Sequence, residues 1–233
     1  MDSILLFLKA PVPGKVKTRL AATIGFKEAA ELYSAFVLDW CDRLYQLCDL
    51  APSPVTLRVM YSPPDAKDAI ADWLRLSQWG VEITDRLYPQ SDGDLGDRLH
   101  QAFVAAFDSG AERAIAVGTD SPDLPLERLT RLLDGLRTHD CGLIPSTDGG
   151  YCAIGFHRDR YEPAVFQDMA WSTETVCDDT LAKLQLHQRT ALTLEPWVDV
   201  DDRDDLQILI QRLEDGAIAA QLPRTTQWLN EGV

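Results

Sequence analysis

Ile4-Leu5-Leu6-Phe7-Leu8-Lys9-Ala10-Pro11-Val12-Pro13-Gly14-Lys15-Val16-Lys17-Thr18-Arg19-Leu20 is the stretch on which the fold turns. Residues 4–8 are wholly apolar and end at a proline-rich turn, the pattern of a short strand buried on both faces. The turn at 10–14 cannot be helical, because Pro11 and Pro13 lack the amide hydrogens a helix needs. Beyond it, Gly14 is followed by Lys15, Lys17, Thr18 and Arg19 on the way into a helix. Such a loop suits an anion, since backbone N–H groups and fixed cations meet phosphate together. The spacing is not that of a Walker A loop, because Val16 stands where Ser or Thr must follow the lysine. A basic surface turn with no ligand fits the same residues.

Working outward, Ala29, Leu32, Tyr33, Phe36, Val37, Trp40, Leu44 and Leu47 recur at three- and four-residue intervals and predict an amphipathic helix over 27–48. Strands are predicted at 55–61, 81–84, 113–118, 141–145, 151–156 and 190–194. Helices are predicted at 65–76, 95–106, 126–136 and 172–186, with a final one from 202 onward. The Pro-containing pieces at 51–54 and 62–65 read as ordinary loops. This alternation predicts an α/β fold, a three-layer α/β/α Rossmann-like sheet that is mostly parallel. The back-to-back strands after residue 140 predict an antiparallel addition to it. No repeat or flexible linker interrupts the pattern, so one domain is expected over 1–233.

Composition excludes several classes. The formal charge of −15, from 37 acidic and 22 basic residues, argues against nucleic-acid binding and against an anionic membrane surface. No apolar run approaches the roughly 18 residues of a spanning helix, and the N-terminal apolar run is too short for a signal peptide. Five cysteines (Cys41, Cys48, Cys141, Cys152, Cys177) without C-x-x-C spacing suit reduced thiols in a cytoplasmic protein. The four histidines lack zinc-site spacing. No G-x-S-x-G elbow or Cys–His pairing suggests a covalent hydrolase.

In open α/β sheets ligands sit beyond the carboxyl ends of the strands, and acids cluster at two such places. Gly118-Thr119-Asp120-Ser121-Pro122-Asp123 follows the central predicted strand. Its carboxylates could hold Mg²⁺ or Mn²⁺, which prefer oxygen ligands, or Asp120 or Ser121 could cap the next helix. Capping is the stronger reading for Asp123. Asp199-Val200-Asp201 follows the last strand, and in extended backbone both carboxylates point the same way. Asp201 also suits the N-cap of the last helix. The segment 147–150 is first a hairpin turn, although Asp148 could reach into a site as a general base. The loop around Asp94 and Gly96 could approach a base or ribose, or be a plain loop. Trp171 before Ser172 and Thr173 reads as a hydrophobic staple, or as a stacking face for an acceptor.

Six motifs occur in order: Lys9-Ala-Pro-Val-Pro-Gly-Lys-Val-Lys-Thr-Arg-Leu20, Gly93-Asp-Leu-Gly-Asp-Arg-Leu99, Gly118-Thr-Asp-Ser-Pro-Asp-Leu124, Asp148-Gly-Gly-Tyr151, Trp171-Ser-Thr173 and Asp199-Val-Asp201. Together they resemble the bacterial DUF2064 glycosyltransferase-like proteins of the nucleotide-diphospho-sugar transferase superfamily, over roughly residues 4–206. The resemblance implies a GT-A-like fold and binding of a nucleotide or nucleotide-sugar diphosphate with Mg²⁺ or Mn²⁺. By position it implies a phosphate-side loop of Pro13, Gly14, Lys15, Lys17 and Arg19, with Asp94 and Gly96 also on the nucleotide. It implies metal ligation by Asp120, Asp199 and Asp201, catalytic roles for Asp148 and Asp120, and an acceptor side of Tyr151, Trp171, Ser172 and Thr173. Many glycosyltransferases carry Asp-x-Asp, whereas here the spacing is Asp120-Ser-Pro-Asp123, which favours Asp120 over Asp123. The expected activity is glycosyl transfer from a nucleoside-diphosphate sugar. The alternatives are nucleotidyl transfer from a triphosphate and a non-catalytic nucleotide-binding module. Lys17 and Arg19 are expected to be exposed loop cations whose loss leaves stability little changed.

Overall fold

The computed structural model describes residues 1–51 and 53–231, so the predicted loop at 51–54 and the predicted span to 233 lie partly outside the described residues. The wholly apolar opening forms β1 (Asp2–Lys9), and the basic loop leads into a short helix, α1 (Thr18–Ile24). The long periodic stretch is α2 (Phe26–Leu50), followed by β2 (Val55–Ser62) and α3 (Lys67–Leu74). Then come β3 (Leu87–Pro89), α4 (Leu95–Asp108), β4 (Arg113–Val117) and α5 (Leu126–Gly135). The hairpin β5 (Cys141–Pro145) and β6 (Tyr151–His157) precedes α6 (Val176–Leu186) and β7 (Ala191–Thr193). Three helices close the described chain: α7 (Arg203–Leu213), α8 (Gly216–Gln221) and α9 (Pro223–Glu231).

The seven strands lie in the order β3-β2-β1-β4-β6-β5-β7. Only β6 runs against the others, pairing antiparallel with both β4 and β5. The antiparallel strand therefore sits inside the sheet. The remaining strands direct their carboxyl ends to one edge, and the β5–β6 turn lies at that same edge.

Side chains alternate along each strand and so build two layers of core. Ile4, Leu6 and Leu8 face α2 and α5 with Trp40, Leu44, Leu129 and Leu132. Leu5 and Ala116 face α4 and α6 with Phe103, Phe156 and Leu184. A third cluster joins Leu20, Leu32 and Phe36 to Leu206, Leu209 and Leu222, and brings α1 and α7 against the outer side of α2. Covered on two sides, α2 also buries Asp39, Asp42 and Arg43. Asp39 accepts hydrogen bonds from the backbone N–H groups of Arg224 (3.1 Å) and Thr225 (2.9 Å) at the start of α9.

Four local expectations are corrected. Residues 80–86 form a 3-10 turn, and the edge strand falls on Leu87–Pro89 beside β2. Val81 is exposed and only Ile83 reaches the core, so β propensity over four residues yields to which segment lies beside β2. The helix predicted from 172 begins at Val176, because Ser172 adopts φ +63°, a left-handed conformation that an α-helix does not continue. The cap of α7 is Asp202, not Asp201; its carboxylate accepts from the N–H groups of Asp204 (2.9 Å) and Asp205 (3.1 Å). That helix is followed by α8 and α9, which the sequence pattern did not separate.

Candidate active site

The carboxyl edge of the sheet opens into a cleft of about 1310 Å³. Loops after β1, β4, β5 and β7 meet there. The backbone N–H of Val200 donates to the Asp120 carbonyl at 2.8 Å, which ties the last loop to the central one. Arg43 of α2 donates to the carbonyls of Pro122 and Leu124 and pins the far end of the Asp120 loop. Tyr33 accepts from the Lys9 N–H at 2.9 Å, and the Thr119 hydroxyl donates to it at 3.2 Å. Its hydroxyl thus bridges the ends of β1 and β4 within the cleft. Sequence periodicity marks Tyr33 only as a core residue of α2, because a polar tip on an apolar face leaves no trace in hydrophobic spacing.

Five predicted side chains meet. The Lys17 ammonium pairs with Asp120 and, at 3.2 Å, with Asp201; Arg19 pairs with the other oxygen of Asp201. The Ser121 hydroxyl donates to Asp199. Lys17 is not an exposed loop cation: its side chain is 2% exposed, and its backbone is left-handed. Burial by itself would lower the lysine pKa, but Asp120 and Asp201 more than offset that and hold it above its ordinary value. Its removal therefore costs stability. Arg19, with 65% of its side chain exposed, fits the expectation of an exposed cation.

Asp199 is partly buried. Burial first, and then the neighbouring Asp120 carboxylate, push its carboxyl up to about 6, against the opposing hydrogen bond from Ser121. A folded-state value above the unfolded one means that the folded chain holds the proton more tightly, so stability falls as pH rises from about 4 to 6. Asp199→Asn removes this dependence. Relative to wild type, the variant is expected to gain about 2 kcal/mol between pH 4 and pH 7. Urea unfolding of both proteins across that range is the check, and parallel pH profiles would contradict it.

Among the described residues no three His, Cys, Asp or Glu side chains form a ready metal cluster. The donor chemistry of Asp120 and Asp199 nevertheless fits a hard divalent cation. Burial, and after it the Asp120 carboxylate, disfavours the charged form of Asp199, and a cation beside it would offset both.

The other predicted residues divide. Lys15, Asp148, Tyr151, Trp171, Ser172 and Thr173 line the cleft with the ion-paired cluster. Pro13 and Gly14 do not line it; they shape the turn that delivers Lys15. Asp94 and Gly96 do not line it either. The Asp94 carboxylate caps α4 by accepting from the Asp97 N–H at 3.0 Å. Gly96 is required for packing, since a Cβ there would stand 2.7 Å from the Phe166 carbonyl oxygen and 2.9 Å from the Trp171 ring. Asp123 neither caps nor faces the cleft: it accepts from the Trp197 indole N–H (3.1 Å) and from Arg212 (2.8 Å). Asp148 is exposed and accepts from the Gly150 N–H at 3.0 Å. Gly149, at φ +91°, packs so closely on 172–175 that a Cβ would lie 2.0 Å from the Glu174 carbonyl oxygen. Trp171 is too far before α6 to staple it; its ring packs at 6.4 Å from Phe166, with the indole N–H buried and without a partner among the described residues. Arg98, in the first turn of α4, also lines the cleft and was not singled out by sequence. Its place on a helix that starts just past a strand end was the available signal.

The family model described as "Uncharacterized protein conserved in bacteria (DUF2064)" matches residues 49–173, more than half of the chain. No curated protein matches it. Among solved structures, one from Desulfovibrio desulfuricans G20, provisionally described as a nucleotide-diphospho-sugar transferase, is 34% identical. The match covers 99% of this chain and 94% of that one, with a TM-score of 0.86. The 4-diphosphocytidyl-2C-methyl-D-erythritol synthase of Anaerococcus prevotii DSM 20548 matches at 11% identity and TM-score 0.55, over 92% of this chain and 98% of that one. A CMP:2-keto-3-deoxy-manno-octonic acid synthetase complexed with CTP matches at 12% identity and TM-score 0.51, over 92% and 99%. These last two likenesses establish the shared α/β fold alone.

Proposed function

The chain belongs to the DUF2064 family, and on that footing we propose that it is a metal-dependent transferase that takes a nucleoside-diphosphate sugar as donor and transfers its glycosyl group. The observation that carries the reading is the ion-paired cluster of Lys17, Arg19, Asp120 and Asp201, set at the carboxyl edge of a mostly parallel sheet beside a large cleft. The cleft exceeds the roughly 300–1,000 Å³ of sites for one small ligand, which leaves room for donor and acceptor together. Among the described residues Lys15 has no carboxylate partner, and Arg19 is mostly exposed; both are suited to the diphosphate. Asp120 and Asp199 would hold the divalent cation, which when bound supplies neutralisation of the leaving diphosphate.

Asp148, an exposed carboxylate lining the cleft, would take the proton of an acceptor hydroxyl. The strap at 171–173 and Tyr151 would bound the acceptor, with an aromatic face and the hydroxyls of Ser172 and Thr173. The test is the product. Incubation with Mn²⁺, nucleotide sugars, nucleoside triphosphates and a cell extract is expected to release nucleoside diphosphate. Release of pyrophosphate from a triphosphate, with nucleotide sugars inert, would instead assign nucleotidyl transfer.

A narrower prediction concerns Arg19. Arg19→Ala is expected to weaken nucleoside diphosphate binding about tenfold, the worth of one charge-assisted contact. Its exposed side chain contributes little to folding, so unfolding should shift by less than about 0.5 kcal/mol. Calorimetry showing wild-type affinity would remove Arg19 from the phosphate site.

A further inference from the structure

We infer that Gln90 decides which nucleobase the cleft accepts, by holding out a fixed hydrogen-bond acceptor that selects a base carrying an amino group; this rests on the reading of the cleft as a nucleotide site. Gln90 follows β3 directly and lines the cleft, although it is only 8% exposed. Its backbone N–H donates to the Tyr61 carbonyl at 2.9 Å. Its side-chain nitrogen Nε2 donates to the carbonyls of Met60 at 2.8 Å and Leu8 at 3.1 Å. A carboxamide nitrogen has two hydrogens, so both are spent on the ends of β2 and β1. Turning the amide over would set its oxygen against those two carbonyl oxygens, which fixes the orientation. Oε1 is the end left over, and no group among the described residues donates to it. A nearly buried side chain in the wall of a cavity, with only its acceptor free, calls for a ligand that donates.

The sheet order shows which part of the donor meets it. β3 and β2 lie at one end of the order, whereas Asp148 and Tyr151 come from the β5–β6 hairpin beyond β4. The basic loop follows β1, between the two. With the diphosphate on that loop and the transferred sugar toward Asp148, the nucleoside extends over β1 and β2 to Gln90. Leu8, Leu95 and Leu99 line the same cleft, and Leu95 keeps 43% of its surface exposed, an apolar face for a flat ring. The bases differ in what they bring to a fixed acceptor. Cytosine and adenine present an amino group in the place where uracil and hypoxanthine present a carbonyl oxygen, and guanine carries one that hypoxanthine lacks. Two acceptors face to face leave both without a proton, and a side chain tied at two points cannot turn away to avoid it.

Nucleoside diphosphates that differ at that group are the probes, with binding measured by calorimetry in the presence of Mn²⁺. The tightest binder among the cytidine, adenosine, guanosine and uridine diphosphates should be one with an amino group. Its partner without that group (uridine diphosphate for cytidine, inosine diphosphate for the purines) should bind at least about fivefold more weakly. Gln90→Lys can still donate to both carbonyls but offers no acceptor, so it should shrink that ratio to below about twofold. The ratio within a pair is read because it cancels the added charge. Gln90→Met should lower the affinity for the preferred diphosphate about fivefold, while inorganic pyrophosphate, which has no base, binds within about twofold of wild type. Uridine diphosphate as the tightest binder, equal affinities within the pair, a ratio kept by Gln90→Lys, or an equal loss of pyrophosphate and nucleotide in Gln90→Met would overturn the assignment. A wild-type protein that binds none of these diphosphates would overturn the nucleotide reading itself, and this inference with it.

Discussion

Asp120→Asn is expected to lower nucleoside diphosphate release by about a hundred- to a thousandfold, the range seen when one preorganised electrostatic group is removed from an active site. The substitution keeps the shape of the side chain and removes its charge. With 47% of that side chain exposed, little packing is lost. Lys17 keeps Asp201 as a partner, so the fold should lose only about 1–2 kcal/mol, one hydrogen bond to a charged group. The backbone bond from Val200 to the Asp120 carbonyl does not depend on the side chain. Rate and stability are therefore separable, and the measurement is product release at saturating donor from protein that unfolds cooperatively. Retention of more than about a tenth of the wild-type rate, against the hundredfold loss that an electrostatic role demands, would mean that the diphosphate charge is met elsewhere.

Asp123→Ala should do the opposite. Three residues along the same loop, this carboxylate is almost wholly buried, and it joins Trp197 to Arg212. Breaking a buried pair from one side costs about 3–5 kcal/mol, because the remaining charge is left without its partner. Arg212 is 28% exposed and can recover some hydration, which places the expected loss at the lower end of that range. Urea unfolding would read it as a lower midpoint. At temperatures where the variant stays folded, product release should remain close to wild type, because Asp123 does not line the cleft. A fall in rate comparable to that of Asp120→Asn, without a fall in stability, would reverse the assignment of the two acids.

The contrast between these two aspartates shows how far a motif carries. Both stand in Gly118-Thr-Asp-Ser-Pro-Asp-Leu124, and the spacing already favours Asp120. The sequence reading of Asp123 as a cap was local, and the partners that hold it, Trp197 and Arg212, lie 74 and 89 positions away. Lys17 shows the same limit from the other side. As a residue it was found, but its burial depends on Asp120 and Asp201, which arrive from two later strand ends. In the Gly93–Leu99 motif, Asp94 and Gly96 show a related limit: Asp94 caps α4, and Gly96 is small where Phe166 and Trp171 come close to it, outside the lining of the cleft.

Periodicity and turn chemistry alone were enough for the α/β class, most of the strands and helices, and the edge of the sheet where acids and bases gather. These signals are local: a strand alternates every two residues, a helix repeats every 3.6, and a parallel strand must end where the next crossover begins. Tertiary structure alone decided the place of β6 inside the sheet, the cover that α9 lays over the charged side of α2, and the partner of each charge in the cleft. Lys17 and Asp201 are 184 positions apart, and they meet because successive crossovers return the strand ends to one edge. No short-range pattern records which carboxylate an ammonium will face there, since that choice is set by Coulomb attraction and exclusion of water between loops that are strangers in sequence.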